Sequence, residues 1–213
     1  MNAAKMSKRC TLLLAVLSMA ACASGGGTQP VAAQTPVDTT RTLASARDTI
    51  PVGFGSLRQD ELTIAIRTDA LLLKVTPLNE RVIRLMAPDT YRRLHALVES
   101  RRNEVSRGIG TRELFLVSFF SYQPDVTYQP EDVQLSHLGR TLRPEAIAAL
   151  TPGWGKQQMA QQATESAIYA FEGPIDYEQD IGVRYGTEES QAWHTIIARM
   201  QVERAKVKAR AGK

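Results

Sequence analysis

The chain has 213 residues and a formal net charge of +4, a length that suits one folded domain with additional segments. Three basic residues, Lys5, Lys8 and Arg9, lie in the first 21 residues, which contain no acidic residue, so the remainder of the chain carries only +1. A nearly neutral chain gives no electrostatic reason to expect nucleic-acid binding.

The N terminus has the three parts of an export signal in their usual order. The basic residues are followed by an apolar run at residues 10–19 and then by the small residues Ala20 and Ala21. This run is shorter than the roughly 20 residues that a membrane-spanning helix needs. We therefore expect export rather than a transmembrane anchor.

Met19-Ala20-Ala21-Cys22 resembles the lipobox of bacterial prolipoproteins, whose usual first residue is Leu. The resemblance covers about the first 30 residues. It implies cleavage before Cys22, a diacylglyceryl thioether on Cys22, acylation of the new amino terminus and attachment to the membrane through these chains. Ala23, rather than Asp, follows the cysteine and implies the periplasmic face of the outer membrane in a Gram-negative cell. Plain secretion is the alternative.

The same interpretation accounts for both cysteines of the chain. Cys10 would be removed with a signal peptide at residues 1–21, and Cys22 would be blocked by lipid. The mature protein would then contain no thiol, which excludes cysteine catalysis, disulfides and cysteine-ligated metals.

Residues 22–56 are rich in Gly, Thr, Ala, Pro, Gln and Ser and contain few large apolar residues. This composition predicts a disordered tether with a root-mean-square reach of about 30 to 35 Å. Val52 and Phe54 leave an alternative, in which the last part of the segment forms an edge strand or docks on the domain.

Residues 57–213 have the pattern of a single α+β domain. Alternating apolar residues predict paired strands near residues 62–66 and 71–75, and apolar residues on both faces predict a central strand at 113–121. Helical spacing predicts a helix from Pro88 through Val105, ended by Gly108 and Gly110.

Further strands are expected near residues 133–135, 168–171 and 181–185, with a turn at Gly139 and one or two helical turns at 144–150. A long amphipathic helix is predicted from about Glu188. The expected fold is therefore a mainly antiparallel β-sandwich or sheet with one inserted helix and this C-terminal helix. The helix residues expected to face the body are Trp193, Ile196, Ile197, Met200 and Val207.

Two charged stretches have both a structural and a functional interpretation. The basic end of the last helix is typical of a solvated, fraying helix terminus, although it could bind anionic lipid headgroups or acidic glycans. Asp176, Glu178 and Asp180 alternate, which favours a solvated strand face, because Ile181 and Thr187 stand where a calcium loop needs Gly and Glu.

No catalytic, cofactor or metal motif is present in the sequence. His95, His137 and His194 are far apart along the chain and lack metal-ligand spacing, and no phosphate-binding loop or dinucleotide fingerprint occurs. We therefore expect no enzyme activity, no cofactor and no metal. A hydrolase whose histidines and carboxylates meet only in the fold is the alternative.

The sequence around Trp154 is the most site-like part of the domain. A Trp between glycines can present a flat ring to a sugar, peptide or lipid, or it can close the end of a sandwich. Packing is the favoured interpretation, and Trp154, Tyr122 and Tyr128 are the candidate ligand-binding residues. The leading functional hypothesis is a lipid-anchored, non-enzymatic interaction module that contacts another envelope protein, and a glycan, peptide or small-ligand binding module is the alternative.

Overall fold

The structure, a computed structural model, describes residues 50–105 and 111–212. The predicted signal sequence, the proposed lipid-attachment residue Cys22 and the predicted helix stops at Gly108 and Gly110 lie outside the described residues. Three α-helices occur in these ranges, α1 (Glu80–Ile83), α2 (Pro88–Val105) and α3 (Trp193–Ala211). The strands are β1 (Ile64–Arg67), β2 (Leu71–Pro77), β3 (Arg112–Ser121), β4 (Val126–Thr127), β5 (Val133–His137), β6 (Arg140–Leu142), β7 (Pro144–Ala149), β8 (Gln158–Met159), β9 (Thr164–Glu172), β10 (Ile181–Tyr185) and β11 (Glu188–Ser190).

The strands form antiparallel sheets, which confirms the predicted α+β class. One sheet has five strands in the order β1-β2-β3-β9-β7, and a second has four in the order β11-β10-β5-β6. Strands β4 and β8 form a small two-stranded ribbon. The predicted pairing of β1 with β2 is present, with Ile64 opposite Val75.

Strand β3 lies at the centre of the larger sheet and is covered on both faces, as its sequence predicts. Phe115, Val117 and Phe119 lie on one face and are fully buried in the core. Leu114 and Leu116 lie on the other face, where helix α2 packs across the neighbouring strands β7 and β9. The central strand therefore connects two apolar layers.

Three local predictions are wrong, two of them because a strand partner overrides the local pattern. Residues 144–149 form strand β7 rather than helical turns, since they pair with β9, with Ala148 opposite Ile168. The last helix begins at Trp193 and not near Glu188, because residues 188–190 pair with β10. Asp176, Glu178 and Asp180 are exposed as expected, but they lie in a loop before β10 rather than on a strand.

Residues 50–57, here called the N-terminal segment, are packed on the domain. Ile50 is buried, and Leu57 exchanges backbone hydrogen bonds with the chain between α1 and α2, donating to the Leu85 oxygen at 3.1 Å. A Cβ atom on Gly55 would lie 2.4 Å from the Leu85 carbonyl carbon, so only glycine fits there. The packed part of the chain therefore extends back to Ile50. Residues 50–56 follow the alternative interpretation, in which the last part of the predicted tether docks on the domain.

Helix α3 packs on the domain along its length. The predicted inward residues Trp193, Ile196, Met200 and Val207 are buried, and Ile197 packs against them. The helix continues to Ala211.

The N-terminal segment and the hairpin turn of β1 and β2 lie at opposite ends of the larger sheet. Strand β2 leads from that turn at Thr68 down to α1, whose neighbour Arg84 donates to the Ile50 carbonyl at 3.2 Å. The six residue-to-residue steps of β2, from Leu71 to Pro77, span about 20 Å. We call the end near Ile50 the basal end and the end near Thr68 the distal end.

Candidate functional site

An open groove of about 360 Å³ lies at the distal end between two hairpin turns. One side is the β1–β2 turn and the other is the β10–β11 turn. We call this feature the distal groove. Its lining residues are Arg67, Thr68, Asp69, Tyr185, Gly186, Thr187 and Glu188.

Local hydrogen bonds fix the two turns that form the groove. The Thr68 backbone donates to the Leu71 oxygen at 2.9 Å, and the Leu71 backbone donates to the Thr68 hydroxyl at 3.0 Å. On the other side, Tyr185 pairs with Glu188, which leaves a two-residue turn whose first member, Gly186, has a φ of +59°. Glycine adopts this conformation without steric cost.

The groove is polar and carries charges of both signs. The Arg67 guanidinium lies 4.6 Å above the centre of the half-exposed Tyr122 ring, a cation–π geometry that orients it. Asp69 and Glu188 are exposed carboxylates on the two turns. One cation and two carboxylates on fixed turns can pair with a polar surface of mixed charge.

Tyr185 forms the inner wall of the groove. Its ring packs edge-on against Phe119, with centroids 5.4 Å apart, and its hydroxyl accepts a hydrogen bond from the Gln129 backbone at 3.1 Å. Burial raises the pKa of Tyr185, so the phenol is neutral at physiological pH and can donate a hydrogen bond.

The three aromatic residues proposed from the sequence do not form one exposed surface. Trp154 is 7% exposed and Tyr128 is 1% exposed, and the Tyr128 hydroxyl donates to the Trp154 carbonyl at 3.1 Å. The Trp154 ring packs among Phe119, Tyr128 and Tyr169, in agreement with its interpretation as a packed ring. Tyr122 instead contacts Phe120 and Arg67.

The environment of Tyr128 shows how closely this aromatic cluster is packed. Burial, with a smaller contribution from the Glu165 carboxylate, raises the pKa of Tyr128 to about 12. Glu165 accepts a hydrogen bond from Thr151 at the turn that leads to Trp154. The loop around Trp154 is thus fixed by a polar bond on its outer side and by aromatic packing inside.

The histidines remain apart in the fold, and among the described residues no hydrogen bond joins two of them. His137 is buried, with Nδ1 3.2 Å from the Asp180 carbonyl and Nε2 accepting from the Asp176 backbone at 3.2 Å. These bonds assign its proton to Nδ1 and hold the loop before β10. His194 contacts the Gln191 carbonyl at 2.7 Å and the Thr195 hydroxyl at 3.0 Å.

His95 belongs to a half-exposed polar cluster between α1 and α2. Its Nδ1 lies 2.7 Å from Glu80 Oε1, while Arg84 donates to Glu80 Oε2 at 2.7 Å. Burial raises the pKa of Glu80, but bonds from Arg84 and His95 outweigh it and leave the pKa below its usual value. Tyr91 stacks on the His95 ring at 5.5 Å. The cluster joins two helices at the basal end.

Two buried carboxylates were not recognised in the sequence. Glu113 accepts hydrogen bonds at 2.9 Å from the Asn79 amide and from the Tyr177 hydroxyl. Glu203 is bonded by Ser56 and Arg210. The position of each residue in an apolar repeat could have revealed its burial. Glu113 lies on the same inward face of β3 as Phe115, and Glu203 lies on the same inward face of α3 as Met200.

Comparison of the chain with protein-family models, with curated proteins and with solved structures finds no match. None of the helices in the described ranges is long and apolar enough to cross a bilayer. The described residues contain no group of three or more His, Cys, Asp or Glu side chains that could hold a metal ion.

Proposed function

We propose that this protein is a lipid-anchored component of the bacterial cell envelope whose domain is a non-enzymatic interaction module. Lipid on Cys22 holds the chain at the membrane, and the distal groove contacts another envelope protein. The observation that carries the proposal is the position of the groove, at the end of the larger sheet opposite the N-terminal segment.

This position leaves the groove accessible when the N terminus is anchored. Ile50 is held at the basal end, and about 20 Å of strand separates that level from the β1–β2 turn. The tether was predicted for residues 22–56, of which 50–56 are packed at the basal end, and its remainder would add reach. A protein partner in the envelope can therefore approach from the side away from the anchoring bilayer.

The chemistry of the groove suits a protein surface. Arg67 offers a guanidinium that is oriented by Tyr122, and Asp69 and Glu188 offer carboxylates on separate turns. Complementary charges across such a contact favour one orientation of the partner over others. An open, shallow groove between two hairpins also admits a protruding loop.

A glycan or small ligand is the second candidate, and Tyr122 favours it. This ring is half-exposed and lies beneath the guanidinium of Arg67, a residue that lines the groove. A ring with a neighbouring hydrogen-bond donor can stack on a sugar and bind its hydroxyl groups. Trp154 and Tyr128, being buried, do not contribute to this surface.

Site-specific crosslinking in intact cells tests the proposal. A photo-crosslinking residue at Thr187, on the groove, should give a discrete protein adduct that mass spectrometry identifies, whereas one at Ala96, an exposed position of α2, should not. Adding Arg67→Glu should abolish the Thr187 adduct, because it reverses the oriented cation.

The contrary result is also specific. If the Thr187 position yields no protein adduct and the purified protein binds a defined glycan whose affinity Tyr122→Ala abolishes, the interaction-module proposal is wrong and the second candidate replaces it.

A further inference from the structure

We infer that the basal end is a membrane-contact surface that docks on anionic phospholipid. This surface, here called the basal surface, comprises Val52 and Phe54 of the N-terminal segment and the basic end of α3. The inference rests on the proposed lipid anchor at Cys22 and specifies how the anchored domain meets the bilayer.

The apolar part of the basal surface is exposed on a fixed backbone. Val52 is 46% exposed and Phe54 is 40% exposed, although Ile50 and Leu57 on either side of them are buried. Of the four exposed large apolar side chains among the described residues, these two lie two positions apart and form a small apolar patch.

The backbone that carries these side chains is fastened to α3. Arg210 Nη1 donates to the Phe54 carbonyl at 2.7 Å. Ser56 donates to Glu203 Oε1 from its backbone at 2.9 Å and from its hydroxyl at 2.8 Å. Both anchors lie within two residues of Phe54 and fix the backbone that carries its ring.

The charge next to this apolar pair is positive. Helix α3 ends with Arg204, Lys206, Lys208 and Arg210, and both lysines are exposed. The carboxylate within this stretch, Glu203, is 2% exposed and is bonded by Arg210 at 2.9 Å. Arg204 pairs with Glu178.

Residues 203–210 carry one acidic and four basic side chains, a formal charge of +3, and this charge complements anionic headgroups. Each Lys or Arg near such a surface contributes about 1 kcal/mol. An aromatic ring beside cations is also the combination found in segments that lie in the membrane interface.

The location of the anchor selects lipid as the occupant. The segment that would join Cys22 to the domain enters at Ile50, two residues before Val52. The basal surface is therefore the part of the domain nearest to the acyl chains along the sequence, and its apolar and basic side chains, rather than the tether alone, select it over the distal groove. A tether of this length keeps the surface at high local concentration, so a weak contact is sufficient for docking.

Tryptophan fluorescence with brominated phospholipid tests this inference on the lipidated full chain in vesicles of phosphatidylethanolamine and phosphatidylglycerol. Brominated acyl chains should quench the indole introduced by Phe54→Trp, but not that introduced by Thr187→Trp at the distal groove. The native Trp154 and Trp193 are buried and provide an unquenched background. Quenching should fall when phosphatidylcholine replaces phosphatidylglycerol.

Charge reversal provides the matched pair of variants. Lys206→Glu should lower the ratio of docked to undocked domain about fivefold or more, the effect expected for a cation near an anionic bilayer. Lys74→Glu makes the same charge change in β2 and should leave the ratio unchanged.

Acyl labelling of Cys22 in the same preparation separates the two proposals. If Cys22 is acylated and the Phe54→Trp indole is not quenched, the basal surface is wrong and the anchor stands. If Cys22 carries no acyl chain and added vesicles still quench that indole, the anchor is wrong and the basal surface stands. If Cys22 carries no acyl chain and the Phe54→Trp indole is not quenched, both the anchor and the basal surface are wrong.

Discussion

At the scale of single residues, burial decides what Trp154 does. Its ring lies 5.4 Å from Tyr128 and 6.0 Å from Tyr169, both in edge-on geometry, and it also contacts Phe119. Edge-on aromatic pairs are favourable beyond the area that they bury. Trp154 thus contributes to the stability of the sheet rather than to an exposed binding surface.

Trp154→Ala should lower the free energy of unfolding by about 3 to 5 kcal/mol, as expected for a large ring removed from a packed core. Tyr122→Ala removes a half-exposed ring and should cost about 1 kcal/mol or less. Urea unfolding monitored by circular dichroism measures both. An unchanged midpoint for Trp154→Ala would contradict the packing role.

The buried carboxylates mark a limit of sequence reasoning at this scale. The spacing of Trp193, Met200 and Val207 places residue 203 on the same inward stripe of α3. The identity of its partner, Ser56, could not be inferred, since the two residues are 147 positions apart. The position of a residue in the apolar repeat predicts that it is buried. The hydrogen-bond partner that offsets the free-energy cost of burying its charge depends on the fold.

At the scale of elements, Glu203 fastens the N-terminal segment to α3. Burial raises the pKa of Glu203, but hydrogen bonds from Ser56 and Arg210 outweigh it and hold the pKa below 4.5, the ordinary value. A lowered folded-state pKa means that the charged carboxylate stabilises the native state above the unfolded pKa. This contribution is lost as the pH falls through the folded pKa.

Glu203→Gln should therefore destabilise the protein by about 1 to 3 kcal/mol at pH 7, because it replaces the charged acceptor of the hydrogen bonds from Ser56 and Arg210 by a neutral amide. The difference between wild type and variant should shrink as the pH falls below 4.5. Urea titrations at pH 7, 5 and 3.5 measure it. Glu172→Gln, which affects an exposed ion pair with Arg140, is the control and should change stability by about 0.5 kcal/mol or less.

A pH-independent difference for Glu203→Gln would show that the carboxylate is not charged in the native state.

The elements also show where local pattern is sufficient. The start of helix α2 and both ends of the central strand β3 were predicted to within a residue or two, because a long apolar repeat of one period specifies each element. Strand β7 was not, since Ala146, Ala148 and Ala149 favour a helix locally. Pairing of this edge strand with β9 overrides that preference.

At the scale of the whole molecule, the proposed anchor and the domain define an orientation. The distal groove and the basal surface lie at opposite ends of the larger sheet, so one can engage a partner while the other meets the bilayer. Together, the anchor on Cys22 and the basal surface would then set which end faces the membrane.

Cys22→Ala should abolish acyl labelling and release the protein from membranes in high salt, because the basal surface alone binds reversibly. Cys10→Ala changes the other cysteine, within the predicted signal peptide, and should leave labelling intact. Labelled fatty acid with cell fractionation provides the measurement. Retention of the Cys22→Ala protein on salt-washed membranes would refute the lipoprotein interpretation.

The sequence alone determined the α+β class, the antiparallel character, the central position of β3 and the inward stripe of α3. Each of these follows from the period of apolar residues along a continuous stretch of chain. It also supplied the export signal and lipobox resemblance on which the proposed location rests.

Only the tertiary structure decided which distant residues meet. It brought the turns at Thr68 and Gly186 together as a groove, buried Trp154, and joined Ser56 to Glu203. These contacts link positions far apart along the chain and depend on the order of strands in the sheets. Apolar periodicity fixes which face of an element is buried, but it carries no information about which element covers that face.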